Sequence, residues 1–110
     1  AAPVIEAVKT CDRGEIRALI KGEPRRRTQF AAAAYAEQRA IAVERTALLS
    51  LPAASSPAGQ ASALTGLVQV DARQKQLEDA RAIERAWRDL FDEARTDFLA
   101  NCSNPKRDDK

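Results

Sequence analysis

Residues 80–102, ARAIERAWRDLFDEARTDFLANC, decide the fold. Ala80, Ile83, Trp87, Phe91, Ala94, Phe98 and Cys102 recur at steps of three and four, which gathers side chains on one face of an α-helix. Toward the N-terminus the same stripe continues through Leu77, Val70, Leu67 and Ala63, interrupted by Gln74 within the polar run 71–76. Ser56 followed by Pro57 supplies an N-cap hydroxyl and a residue whose fixed φ suits a first helical turn. The spacing predicts a helix over 57–101, roughly 65 Å long at 1.5 Å per residue. Trp87, Phe91 and Phe98 are its expected core anchors, and they are most of the large apolar material available, since the chain holds three Phe and one Trp.

Before this helix lies one clear loop, residues 50–59, rich in proline and serine. A second helix is expected over 24–49, with Phe30, Ala33, Ala36, Ala40, Val43 and Ala47 forming its face and Ile41 and Leu48 widening it. At roughly 39 Å it covers only the first part of the third helix. The rest, from about Ile83 to Cys102, needs another cover, and residues 1–22 are the remaining apolar stretch, through Val4, Ile5, Val8, Ile16, Leu19 and Ile20. Asp12 with Glu15 three positions on has capping-box spacing, so that segment reads as two short helices broken at Cys11 or Asp12. Gly22 is expected to stop it and Pro24 to begin the next helix. The expected fold is all-α: a long antiparallel helical hairpin plus a short N-terminal helical segment, three-helix-bundle-like, in one domain over 1–110. Residues 103–110 read as a charged tail. A third helix bent at 71–76 in a compact bundle is the alternative.

This wrapping brings Cys11 near Cys102, the two cysteines of the chain. A bond between them is expected. It would close a loop of about 90 residues and, in the chain-entropy view, stabilise the fold by roughly 4–5 kcal/mol. Disulfides persist in oxidising compartments, so the expected location is periplasmic or secreted. The opening Ala-Ala-Pro, without methionine, suits cleavage of a signal peptide. Two reduced, unconnected thiols in a cytoplasmic protein are the alternative.

The residue inventory narrows the function. Histidine, the commonest general base and metal ligand, is absent. The four glycines are scattered rather than gathered into a phosphate loop, and the cysteines are too distant for a Cys-x-x-Cys motif. No catalytic residue, cofactor or metal is therefore expected, and the protein is read as not an enzyme. A net charge of +2 is too small to imply nucleic acid or a membrane surface. No apolar run approaches the roughly 18 residues of a membrane span. The expected partner is another protein, within a larger membrane-associated complex for instance.

Arg25, Arg26 and Arg27 place three cations in the first turn of the expected second helix, against its macrodipole. Either the acidic residues of the third helix (Glu78, Asp79, Glu84, Asp89, Asp92 and Glu93) neutralise them, or they form an exposed basic patch that docks an acidic partner or a phosphate-rich surface. Tyr35 falls outside the alanine face and is the candidate exposed aromatic anchor. Arg25, Arg26, Arg27 and Tyr35 are thus the candidate partner-binding residues.

Residues 4–22, with Ala7, Asp12, Ile16, Leu19 and Ile20 in matching places, resemble the helix pair of a single ankyrin repeat. The likeness covers 19 of 110 residues and no 33-residue period follows, so an ankyrin array is excluded while the local helix-turn-helix is supported. Ala86-Trp87 and Asn101-Cys102 resemble the closing helix of small exported helical inhibitors of lysozyme, although the spacing is longer here and that family's further cysteines are missing. The function expected is a non-catalytic, exported protein-interaction module, an accessory or structural subunit of a cell-envelope assembly. Two alternatives stand beside it. One is an inhibitor of the lysozyme-inhibitor type that inserts residues 51–59. The other is a cytoplasmic helical adaptor that dimerises through the third helix with reduced thiols.

Overall fold

The protein is seen in a computed structural model that describes residues 2–50 and 56–102. These form α1 (Ala2–Lys9), α2 (Arg13–Leu49) and α3 (Pro57–Cys102), with no strand among the described residues. The chain is all-α, a long antiparallel hairpin of α2 and α3 with the short α1 before it. Cys11 and Cys102 are joined in a disulfide with Cα atoms 5.5 Å apart, inside the usual range for bridged cysteines. Most of the expected loop (51–55) and the expected tail (103–110) lie outside the described residues.

The joint between α1 and α2 follows from its caps. The Asp12 N–H donates to the Ala7 carbonyl at 2.9 Å and the Cys11 N–H to the Val8 carbonyl at 3.2 Å. That is the paired closure of a Schellman motif, which needs a left-handed residue at the position Cys11 fills. Cys11 has φ 52°, where glycine is the usual occupant. Asp12 then caps α2, its Oδ1 accepting from the Glu15 N–H at 3.0 Å. The expected break at Cys11 and Asp12 is present. At the other end of the loop, Ser56 Oγ accepts from the Gly59 N–H at 3.0 Å and begins α3 as its N-cap.

One expected boundary is corrected. The second helix starts at Arg13 rather than at Pro24, and it runs through both Gly22 and Pro24. Pro24 has no N–H for the Ile20 carbonyl, and an interior proline costs about 3 kcal/mol. Burial on either side offsets this. Ile16 and Ile20 pack against α3, and Glu23 is buried beside Trp87. Both sets of contacts need one uninterrupted helical phase.

The chain divides into two compact units. The first, Ala1–Thr28 with Ile83–Lys110, is built from the two ends of the chain. Its core has one cluster of Ala7, Ile16, Phe98 and Cys102, and a second of Val4, Phe91 and Ala94 with Trp87, Leu19 and Ile20 against it. The N-terminal segment therefore does cover the aromatic end of α3. The second unit, Gln29–Ala82, is a helical hairpin with Ala34, Ile41, Val70 and Leu77 at its centre and Phe30 and Leu48 alongside. Its helices approach closely at Gly66, where an added Cβ would lie 2.7 Å from Leu48 Cδ2.

Two faces are rotated from expectation. On α2 the buried side runs through Phe30, Ala34, Ile41 and Leu48, while Ala33, Ala36, Ala40 and Val43 are exposed. The alanines carry too little apolar area to set the rotation, and the larger side chains set it instead. On α3, Ile83 is 71% exposed and its neighbour Glu84 is buried. The inward positions Ala63, Val70, Leu77, Glu84, Phe91 and Phe98 are seven apart, the heptad period of a helix pair. That period passes through 84 and not 83.

Candidate functional site

The densest polar cluster of the first unit grows from Glu23, which the register of α2 turns inward. Arg26, one turn on, donates to it twice, Nε to Oε1 at 2.8 Å and Nη2 to Oε2 at 2.9 Å. The same guanidinium donates to both oxygens of Glu84 on α3, at 2.8 and 2.9 Å. Arg27 Nε also donates to Glu23, and Arg27 Nη2 reaches Asp92 at 3.0 Å. The indole N–H of Trp87 donates to Glu23 Oε2 at 3.0 Å, and Arg88 Nε to Glu84 Oε2 at 3.1 Å. Above the rings, the Arg26 guanidinium lies 5.2 Å from the Trp87 centroid and that of Arg27 lies 5.7 Å from Phe91.

The electrostatics follow from this geometry. Hydrogen bonding by Arg26 holds the Glu23 carboxyl down to about 2 from its ordinary 4.5; burial opposes this, and Arg27 and Trp87 reinforce it. Arg26, then Arg88, lowers Glu84 likewise against its burial, and the two carboxylates raise Arg26 in turn. Every oxygen of Glu23 and Glu84 already accepts from a guanidinium or the indole. Carboxylates so occupied are poor proton acceptors. The cluster is suited to holding α2 and α3 in register within this unit rather than to acid–base work.

This also places the sequence-predicted residues. Arg26 and Arg27 are partly buried and paired inside the unit, whereas Arg25 is exposed. Tyr35 belongs to the second unit and is 53% exposed, with Arg39 over its ring at 6.0 Å. Tyr35 and the three arginines thus belong to different units. Sequence reasoning missed Glu23 and the burial of Glu84. The signal that could have found Glu84 was the strict seven-residue recurrence along α3.

In the second unit the polar seam is of another kind. Gln38 and Gln74 exchange amide hydrogen bonds at 2.8 and 3.2 Å, which explains why a glutamine interrupts the apolar stripe. Arg73 spans Glu37 and Glu44, and Arg45 meets Asp71 at 2.8 Å. These pairs are more exposed and individually weak, because solvent screens them.

Two shallow grooves, each about 280 Å³, open on the first unit. One has Ile16, Ile20 and Phe98 as its floor with Arg13, Arg17 and Leu99 at its edge. The other shares Ile20 and continues past Pro24 to Phe91, Asp92 and Arg95. Among the described residues no cluster of three or more His, Cys, Asp or Glu could hold a metal ion, and no helix is long and apolar enough to cross a membrane. No family model, no curated protein and no solved structure matches the chain.

Proposed function

We propose that the chain is a non-catalytic, exported protein-interaction module, an accessory or structural subunit of a cell-envelope assembly. The observation that carries this reading is the Cys11–Cys102 bond, which joins residues 91 apart in sequence. An intramolecular tie across nearly the whole chain persists where thiols are kept oxidised. A contact role is supported by large apolar side chains left on the surface. Tyr35, Val43 and Leu49 on α2 and Leu64 and Val68 on α3 are each more than half exposed, all within the second unit. Side chains of that size on a small helical unit suit a surface that a partner covers. Arg25 and Tyr35 are the predicted contact residues that keep an outward position.

Two measurements test the reading. The intact mass of protein from its native source, taken without reductant, should fall two hydrogens below the reduced value, and two freely alkylated thiols would overturn export. Mild crosslinking of that source before purification should recover the chain in stoichiometric association with another protein of the envelope fraction. A chain recovered alone would reject the subunit role.

A further inference from the structure

We infer that the groove of the first unit is a docking seat for an acidic amphipathic helix supplied by a protein partner. This deepens the interaction reading proposed above and rests on it. The floor is apolar: Ile16, Ile20 and Phe98 line it, and Leu99 at its edge is 52% exposed. Among the described residues none of α1 lines either groove, while Val4 and Ala7 pack into the two core clusters. α1 thus covers part of the aromatic end without lining this trough.

Length and charge specify the occupant. The two grooves share Ile20 and follow α2 from Arg13 to Arg27, a run of roughly 21 Å or four helical turns. A helix laid in such a trough engages it through apolar residues at i, i+3, i+4 and i+7. Arg13 and Arg17 stand one turn apart on α2, and Arg95 stands on α3. The acidic groups along the trough are Glu23 and Asp92, and both already accept from arginines of α2. No carboxylate among the described residues pairs with Arg17 or Arg95. An apolar floor with Arg17 on one wall and Arg95 on the other, neither paired to a carboxylate among the described residues, complements an apolar stripe flanked by carboxylates. A compact anionic ligand would meet the arginines but leave most of the floor uncovered.

The test uses the full disulfide-bonded chain and an 18-residue helical peptide with a leucine stripe flanked by glutamates. In an amide NMR titration the peptide should give saturable shifts concentrated at residues 13–27 and 91–99. A peptide with lysines in place of the glutamates should bind at least tenfold more weakly. Arg17→Glu combined with Arg95→Glu, both exposed positions, should leave the circular dichroism unchanged and invert that preference. Equal binding of the two peptides, no saturable binding of either, or dodecanoate binding in preference to the acidic peptide would each overturn the seat. Shifts centred on Tyr35 and Val43 would overturn it too, while leaving the proposed interaction role intact. The disulfide and recovery measurements fail or succeed independently of all these outcomes.

Discussion

Glu23 and Glu84 occupy inward positions that an unbroken hydrophobic stripe would give to leucine, and arginine makes this tolerable. Arg26 grips both carboxylates at once, so neither buried charge lacks a partner. Because the folded Glu23 carboxyl sits at about 2 against an ordinary 4.5, its contribution is complete above pH 4.5. It declines as pH falls between those two values and is gone below the lower one. The size is about 3 kcal/mol, and Glu84 adds in the same direction. Urea unfolding at a series of pH values should show this loss, and Glu23→Gln should flatten the dependence in that window. A Glu23→Gln profile parallel to that of the parent would remove the assignment. Cys11 carries a second residue-scale cost, a side chain in a left-handed conformation. With Cys102→Ala in both proteins, Cys11→Gly should be about 1 kcal/mol more stable than Cys11→Ala, measured by chemical denaturation.

At the scale of the element, α2 is where local signals and packing disagree. Gly22 and Pro24 together read as a helix stop and start, yet the helix continues through them for 37 residues. Two neighbours support the continuous form. Thr28 Oγ1 donates to the Pro24 carbonyl at 3.0 Å, and Glu23, between the two breakers, is anchored to Trp87. An added Cβ at Gly22 meets nothing within 4 Å, and its φ is not positive. Gly22→Ala should therefore stabilise the protein by about 1 kcal/mol through helix propensity. Were Gly22 a left-handed terminator, the same substitution would destabilise by a comparable amount, so the sign of the change in denaturation midpoint decides between them.

For the whole molecule, the two units differ in how their contacts lie along the sequence. The second unit is a hairpin within Gln29–Ala82, whereas the first must bring Ala1–Thr28 to Ile83–Lys110. Joining chain ends costs loop-closure entropy, and the disulfide limits that cost by constraining the unfolded chain. Arg13 strengthens the same junction by donating from Nη2 to the Cys102 carbonyl at 2.9 Å. Removing the bridge with Cys11→Ala and Cys102→Ala should lower stability by roughly 4–5 kcal/mol. Amide hydrogen exchange should show the loss chiefly at residues 2–28 and 83–102, with 29–82 less affected. Uniform deprotection of both units would reject this division.

The sequence by itself determined the all-α class, the Ser56 cap of the third helix and the break at Cys11 and Asp12, and it favoured a straight third helix and a Cys11–Cys102 bond over a bent helix and reduced thiols. Each depends on interactions local to the chain, or on a length argument that left residues 1–22 as the cover for the aromatic end. Only the tertiary structure decided that α2 runs unbroken through Pro24, that Ile83 faces out while Glu84 faces in, and that Arg26 and Arg27 are held inside their own unit. The last two outcomes turn on rotations of about 100° about a helix axis, one residue's worth, which alanine-rich stripes specify poorly. The partner helix settles them, because the burial of Ile41 and Phe91 and the pairing of Glu23 with Arg26 outweigh local propensity.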